Sequence, residues 1–324
     1  MNTQTLNLII SFIATVILGA IVVPKLRKLK VGQIVREDGP KSHLKKSGTP
    51  VMGGIVMIIV VTIILAVNLV NYRELIIPIV AIFGCGIIGF IDDYKKLVKK
   101  NTEGLSPKKK IFGLLIVTAL VIVLYLKAFN FGTEIIVPFV NQPLYLSPLV
   151  FVIFTAFVFI GTTNAVNLTD GLDGLAGGLS VVAIMAYGVI AWGSKWISGY
   201  QEIAIFAFVL CGAILGFLVF NTHPAKVFMG DTGSLALGGA LATIAILTKH
   251  ELSLLLIGGV FVVETLSSAI QIIAIRKFHK KVFLKAPLHH HFEELGWEET
   301  DIVKLFWVVG LFLAMIGIIY GVWL

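Results

Sequence analysis

Runs of about 20 apolar residues recur along the whole chain, and a helix of that length spans the hydrocarbon core of a bilayer. This feature constrains the fold more than any other. Because 57% of the 324 residues are hydrophobic and only 14% are charged, the length cannot be read as two soluble domains. The sequence therefore predicts an all-α polytopic integral membrane protein, with a single transmembrane domain that covers residues 1–324.

The apolar runs divide into ten predicted transmembrane spans. These spans are 7–25, 51–71, 75–91, 111–128, 148–166, 174–192, 201–220, 234–248, 253–275 and 302–323. The segment 129–147 is too polar and too interrupted by proline to be a span. Its alternating stretch "TEIIVPFV" is compatible with a small extracellular β-hairpin.

Lysine and arginine are unevenly divided between the two sides of the membrane. Most of the 26 basic residues fall in the loops 25–50, 92–110, 221–233 and 276–301. The positive-inside rule makes these loops cytoplasmic, together with 161–173, and places both termini outside. Every aspartate also falls on this side, which the positive-inside rule does not explain. We therefore expect any chemistry to take place at the cytoplasmic face.

Two consecutive carboxylates, Asp92 and Asp93, lie at the inner end of the third predicted span, in "GFIDDYKK". A carboxylate at membrane depth costs about 2.5–3.5 kcal/mol even on insertion scales, and such residues usually mark a functional path. Neighbours on a helix point about 100° apart, so the two serve one ligand only at a helix end. The alternative is helix capping with an ion pair to Lys95 or Lys96. That alternative is weakened because acids at a helix C-terminus oppose the dipole.

The loop "NAVNLTDGLDGLAGG" carries Asn167, Asp170 and Asp173. The two aspartates are three residues apart, so one helical turn would place them on the same face. Gly171 and Gly174 would let a ligand approach the backbone closely, and Asn167 offers both a donor and an acceptor. A structural turn alone needs fewer polar residues than this, and we therefore interpret the loop as a binding site.

A third motif, "FNTHPAKVFMGDTGSLALGG", precedes the eighth predicted span. Asp231 follows Gly230 there and precedes "TGS", which is typical of a helix N-terminus with exposed N–H groups. Such an end can hold phosphate, and a nearby carboxylate can hold the metal ion that bridges phosphates. Capping of the helix by Asp231 is the structural alternative.

Three consecutive histidines, His289, His290 and His291, lie in the last cytoplasmic loop. Their side chains cannot all ligate one zinc ion from a regular element, and no cysteine cluster accompanies them. Contacts with phosphate or a nucleobase are the favoured interpretation, and a solvated loop without a role is the alternative.

The loop before the second predicted span is strongly basic. It carries Arg36, Lys41, His43, Lys45 and Lys46, which either mark topology or neutralise a phosphorylated substrate. No Walker motif follows a strand, so ATP-driven transport has no support. Acids, histidines, an amide and lysines thus converge on one face, which predicts a Mg²⁺-dependent site for a diphosphate.

Taken together, these motifs resemble those of the phospho-N-acetylmuramoyl-pentapeptide transferases, membrane enzymes of bacterial peptidoglycan synthesis. The resemblance covers essentially the whole chain and rests on "GPKSHLKKSGTPVMGG", "DDYKK", "NAVNLTDGLDGLAGG", "FNTHPAKVFMGDTGSLALGG" and "PLHHHFE". The aspartate pair and the loop containing Asn167 and Asp170 are shared by the wider superfamily of polyprenyl-phosphate hexose-1-phosphate transferases. The triple histidine and "GTPVMGG" resemble the muramoyl-pentapeptide branch.

The resemblance implies that UDP-N-acetylmuramoyl-pentapeptide and undecaprenyl phosphate react, with Mg²⁺, to give lipid I and UMP. It implies Asp92, Asp93 and Asp231 as catalytic residues, with Asp92 as the base and Asp231 as the Mg²⁺ ligand. The substrate-binding residues that it implies are Lys45, Lys46, Lys100, Lys108, Asn167, Asp170, Asp173, Asn221, Phe228, Gly230, His289, His290 and His291. Phe228 would lie against the uracil, and direct attack by the lipid phosphate is favoured over a covalent intermediate.

The same resemblance implies a multi-pass protein of the bacterial inner membrane, in contact with membrane lipid and without a nucleic-acid partner, and it suggests a homodimer. Two other functions stay open at this point. One is a sister enzyme that uses UDP-N-acetylglucosamine, and the other is a transporter of a phosphorylated lipid or anion. Transporters tend to carry inverted repeats and broken helices at the midplane, whereas the acids here lie at one face.

Overall fold

A computed structural model describes residues 3–28, 48–99, 103–140, 142–193 and 200–322. It confirms an all-α polytopic membrane protein. In chain order, the α-helices are α1 (Thr3–Lys28), α2 (Gly54–Asn68), α3 (Ile76–Lys99), α4 (Pro107–Val123), α5 (Pro148–Thr169), α6 (Leu175–Gly193), α7 (Tyr200–Asn221), α8 (Gly230–Leu247), α9 (Leu254–Ile257), α10 (Gly259–Phe278), α11 (Leu288–Glu294) and α12 (Glu299–Val322). Short 3₁₀-helices lie at Arg73–Leu75 and Glu251–Ser253, and a π-helical turn, Leu124–Ala128, extends α4.

Nine helices within the described ranges are long and apolar enough to cross a membrane. α2 is equally apolar but has only 15 residues, so it is shorter than the predicted span 51–71. It starts late because the backbone before it pairs with another segment instead of coiling. The Phe228 N–H donates to the Pro50 carbonyl over 2.8 Å, and the Gly53 N–H donates to the Phe228 carbonyl over 2.9 Å.

Helix α8 is the most deeply buried of these helices. Each of its residues from Thr232 to Leu247 is buried, and it packs against α3 on one side and α5 on another. Because α3, α5 and α8 carry Asp92, Asn167 and Asp231 respectively, this packing brings together three motifs that are far apart in the sequence.

Close approach of α3 and α8 depends on small residues, as is common between helices in membranes. A Cβ atom added to Gly89 of α3 would overlap the carbonyl oxygen of Asp231, and one added to Gly239 of α8 would lie 2.7 Å from Cys85 Sγ. The backbones are therefore in direct contact at the N-terminal end of α8, where the carboxylates lie.

The opposite end of α8 is closed by two short strands. β1 (Glu134–Ile135) and β2 (Leu144–Tyr145) pair antiparallel within the segment 129–147. The Ile136 N–H donates to the Lys249 carbonyl over 2.7 Å, and Glu134 forms an ion pair with Lys249. Burial raises the pKa of the neighbouring Glu251 to about 8. The extracellular location of this end and of both termini stays a prediction.

We expect Gly89→Ala to destabilise the protein, because the added methyl group would push α3 away from α8. Overpacking of this kind costs about 1–3 kcal/mol. The measurement is the melting temperature of the purified protein in detergent. Gly161→Ala in α5 is the matched control, since a Cβ atom there meets open space. Equal melting temperatures for the two variants would contradict this account of the helix contact.

Candidate functional site

Three carboxylates, two of them buried and one partly exposed, meet where α3 crosses the N-terminus of α8. Asp92, Asp93 and Asp231 each contribute one oxygen to a group whose members lie within 4.8 Å of one another. The sequence suggested that the helix carrying Asp92 and Asp93 ends near these residues, but α3 continues to Lys99. The argument from the helix dipole therefore does not apply, and the two side chains leave α3 in different directions.

Asp93 binds the N-terminus of α8. Its Oδ1 accepts the Asp231 N–H over 3.1 Å, and its Oδ2 accepts both the N–H and the hydroxyl of Thr232, over 2.9 and 2.7 Å. A carboxylate in this position satisfies N–H groups that have no partner within their own helix. The alternative considered from the sequence was that Asp93 caps its own helix, α3. Instead it caps α8, and this contact fixes the position of Asp231.

Asp231 points its side chain away from its own helix end. Its Oδ1 accepts a hydrogen bond from Asn167 Nδ2 over 2.7 Å, and its Oδ2 accepts from Lys96 and Lys110 over 2.9 and 3.2 Å. Lys110 also donates to Asn167 Oδ1 over 3.0 Å, and Asn167 Nδ2 lies 2.8 Å from Ser234 Oγ. The alternative that Asp231 merely caps α8 is therefore wrong.

Asp92 lies under the segment that connects α3 to α4. Its Oδ1 accepts the Leu105 N–H over 2.6 Å, and its Oδ2 pairs with Lys96 over 2.6 Å. A side chain at Gly104 would overlap the carboxylate, so the connection can close over Asp92 only with glycine there. The ion pair with Lys96, considered above as a structural alternative, is present and also reaches Asp231.

The two lysines of the cluster, Lys96 and Lys110, were not among the predicted site residues. The spacing of four residues between Asp92 and Lys96 is a sequence signal that could have identified Lys96. Lys110 has no such local signal, because its partners come from α5 and α8. The predicted Lys108 is exposed at the start of α4. The other predicted lysines, Lys45, Lys46 and Lys100, lie outside the described residues, as do Arg36, Lys41 and His43.

Asp170 and Asp173 do not share a helical face, so this prediction was wrong. α5 ends at Thr169, Asp170 is its C-terminal cap, and the backbone turns through Gly174 at a φ of +78° before α6 begins. A positive φ favours glycine. The two aspartates therefore lie on different parts of a turn and not on one face of a helix.

Asp173 joins a second group of polar residues. Its Oδ2 accepts the Ala225 N–H over 3.0 Å and lies 3.1 Å from His223 Nδ1, and its own N–H donates to Glu299 Oε1 over 2.7 Å. This group connects the loop after α5 with the loop after α7 and with the first turn of α12.

Three further predicted substrate-binding residues lie in or beside the segment between α7 and α8, which leads to Asp231. Asn221 is buried and donates to the Val227 carbonyl over 3.0 Å, while its Oδ1 has no partner among the described residues. Phe228 is held by the backbone pairing described above. Gly230 has a φ of +74°, and a Cβ atom there would lie 2.6 Å from Asp93 Oδ2.

The three histidines lie on the short helix α11 and have three different environments. His289 is fully buried and bonds to Glu264 through both its N–H and its Nδ1, over 3.0 and 2.5 Å. His290 Nδ1 lies 2.6 Å from Glu293, and His291 Nδ1 accepts the Leu284 N–H over 3.2 Å. A solvated loop without contacts is therefore excluded for His289, and Glu264 is a further residue that sequence reasoning missed.

The carboxylate cluster can hold a metal ion. Its donors are hard oxygens, and Lys96 and Lys110 offset only part of the charge of the three carboxylates. Both oxygens of Asp93 accept from α8 itself, whereas Oδ2 of Asp231 and Oδ2 of Asp92 accept from lysine side chains, which a cation can replace. Asp231 and Asp92 are therefore the members best placed as ligands. Asp173, His223 and Glu299 form a second group with ligand atoms within 4.8 Å of one another.

The fold and this cluster define a polytopic membrane protein whose charged site lies at the ends of its helices. The family model for glycosyl transferase family 4 matches residues 75–249. That range includes Asp92, Asp93, Lys110, Asn167 and Asp231.

Similar proteins match nearly the whole chain. A phospho-N-acetylmuramoyl-pentapeptide-transferase of Shouchella clausii (strain KSM-K16) is 49% identical over 98% of this chain and 97% of its own length. Proteins of the same name from Bacillus subtilis (strain 168) and Bacillus mycoides (strain KBAB4) are 47% and 49% identical, covering 98% and 97% of this chain and the same shares of their own lengths. The chain therefore belongs to glycosyl transferase family 4 and, within it, to the phospho-N-acetylmuramoyl-pentapeptide-transferase family.

We expect the carboxylate cluster to bind a divalent cation and Asp231→Asn to weaken that binding more than about tenfold, the smallest loss typical even of outer-shell changes. Binding of Mn²⁺ to the purified protein can be measured by electron paramagnetic resonance. Asp301→Asn is the matched control, because Asp301 is exposed and forms an ion pair with Lys304, which is also exposed. Unchanged affinity in Asp231→Asn would contradict this assignment, and a loss in His223→Ala instead would place the ion at the second group.

Proposed function

We propose that this chain transfers phospho-N-acetylmuramoyl-pentapeptide from UDP-N-acetylmuramoyl-pentapeptide to undecaprenyl phosphate, which yields lipid I and UMP for peptidoglycan synthesis. The names of the relatives and their near-complete overlap with this chain support the proposal. One observation of the structure carries it furthest. Asp231, in the first turn of a buried helix, lies among two lysines, an amide and two further carboxylates, which is a set of groups suited to a divalent cation and, through that cation and the lysines, to a diphosphate.

The proposal includes a location. The protein would lie in the bacterial inner membrane as one transmembrane domain, in contact with lipid, with its site at the cytoplasmic face. Both substrates could then reach the carboxylates, because the nucleotide sugar is water-soluble and the phosphate of the lipid lies at the membrane surface. A homodimer is part of the same proposal.

Mg²⁺ is the proposed metal ion, and Asp231 would hold it together with oxygens of the diphosphate. Mg²⁺ prefers few carboxylates and keeps substrate oxygens or water as its other ligands. When bound, the ion would neutralise charge on the diphosphate. Asn167 would keep the Asp231 carboxylate in a fixed orientation, since it donates to Oδ1 and leaves Oδ2 to the lysines.

The reaction would need one displacement. An oxygen of the lipid phosphate forms a bond to the phosphorus atom attached to the sugar, and the bond from that phosphorus to the UMP oxygen breaks. Asp92 would accept the proton of the lipid phosphate, and Lys96 and Lys110 would balance the negative charge that spreads over the phosphoryl oxygens. A phospho-sugar adduct trapped on Asp92 or Asp231 would contradict this direct mechanism.

The nucleotide and sugar would bind beside the cluster. Asn167, Asp170 and Asn221 would place the uridine and the sugar phosphate, with Phe228 against the uracil. The other residues proposed for this pocket are Lys45, Lys46, Lys100, Lys108, Asp173, Gly230, His289, His290 and His291. In support of the pocket, Asn221, whose Oδ1 has no partner among the described residues, is the last residue of α7, and Asp173 accepts a hydrogen bond from Ala225 in the loop that follows.

The proposal is tested by UMP release from the purified protein in detergent with undecaprenyl phosphate and Mg²⁺. UDP-N-acetylmuramoyl-pentapeptide and UDP-N-acetylglucosamine are compared in parallel, and Asp231→Ala is the inactive control. We expect release from the muramoyl substrate alone. Release from the glucosamine substrate would assign the chain to the sister activity, and release from neither would favour a transporter.

We expect Lys110→Met to lower kcat more than about tenfold, because it removes a charge-assisted contact from the group that would bind the diphosphate. Lys109→Met, at the exposed neighbouring position, should leave kcat within about twofold, as is usual for surface changes. Both are measured by UMP release at saturating substrates. Equal rates for the two variants would exclude a role for Lys110 in the transfer step.

A further inference from the structure

A glutamate lies at zero solvent exposure inside the membrane-spanning helix α10. Glu264 has no lysine or arginine among the partners that the structure records for it. Its two oxygens accept hydrogen bonds from one residue. Oε1 accepts the His289 N–H over 3.0 Å, and Oε2 lies 2.5 Å from His289 Nδ1. Buried carboxylates in membranes are costly and usually functional, so this contact needs an explanation beyond packing.

The second ring nitrogen of His289 faces the loop between α5 and α6. Nε2 is buried and has no hydrogen-bond partner within the described ranges. A Cβ atom added to Gly171 would overlap Nε2, so the ring lies directly against the backbone of the loop that carries Asp170 and Asp173. The ring thus joins a buried carboxylate on one side to a loop of the proposed pocket on the other.

We infer that Glu264 is a positioning residue that keeps a proton on His289 Nδ1 and so directs Nε2 at the loop 170–174. A carboxylate accepts but cannot donate when ionised, and for this reason the ring nitrogen facing it carries the proton. The position of the loop, and with it the binding of the nucleotide sugar, then depends on the orientation of this ring. The identity of the substrate in this inference rests on the proposed function. The contact between Glu264 and His289 does not depend on that function.

Replacement of Glu264 by glutamine distinguishes positioning from packing, because it preserves shape and changes only the donors and acceptors. The His289 N–H can only donate, so the amide oxygen is expected to face it. The amide nitrogen then faces Nδ1, which must give up its proton and accept. The proton moves to Nε2 and adds an N–H against Gly171, where the structure offers no acceptor among the described residues.

The ring state is measured directly by ¹⁵N nuclear magnetic resonance of the full chain labelled at its seven histidines, with the His289 signal assigned by its loss in His289→Gln. We expect a protonated Nδ1 in the native protein and an unprotonated Nδ1 in Glu264→Gln. An unprotonated Nδ1 in the native protein would overturn the inference, and so would an unchanged ring in a folded Glu264→Gln. The native spectrum decides the matter even if the variant does not fold.

Kinetics supply a second readout. Glu264→Gln should raise the KM for UDP-N-acetylmuramoyl-pentapeptide about tenfold, by analogy with the smallest effects of residues that orient metal-bound histidines, and leave the KM for undecaprenyl phosphate unchanged. Glu294→Gln, at an exposed position of α11, should change neither value. An equal rise in both KM values would indicate a structural defect and overturn the inference. Absence of UMP release by the native protein would contradict the proposed function. The resonance measurement would still test the role of Glu264, because it does not depend on activity.

Discussion

The contact between Asp93 and the N-terminus of α8 is the interaction on which the rest of the site depends. α8 is buried almost throughout, so its first N–H groups cannot be satisfied by bulk water and need protein partners. Asp93 supplies those partners from α3, and Gly89 lets the two backbones come close enough for the bonds to form. The position of Asp231 relative to Asp92 follows from this docking.

Charge balance explains why so many ionic side chains tolerate burial here. An isolated carboxylate in this environment would be strongly destabilising, whereas Lys96 bridges Asp92 and Asp231, and Lys110 joins Asp231 to Asn167. Each lysine comes from a different helix, so the network also ties α3 and α4 to α8. Under the proposed function, the same network is preorganised for a cation and the phosphate oxygens that the cation binds, because its carboxylates and lysines are in place before the ligand arrives.

The sequence was informative about the existence of the motifs and less so about their geometry. The apolar runs predicted the helices, with α2 shorter than expected because residues 50–53 pair with Phe228. The assumption of a helical turn failed at Asp170 and Asp173, since the chain reverses through Gly174 there. Lys110 and Glu264 carry no local signal, and both were missed because their partners are more than 20 residues away.

By itself, the sequence determined the membrane class, the approximate spans and the clustering of acids on one predicted face, because hydrophobic length and charge are local properties. Only the tertiary structure decided what each acid does. Asp93 caps the N-terminus of α8, a helix other than its own. Asp231 binds lysines and an amide, and Asp173 contacts His223. These roles depend on which helices are in contact and on how far along each helix the contact lies. Packing of the whole bundle determines both, and no short stretch of residues encodes them.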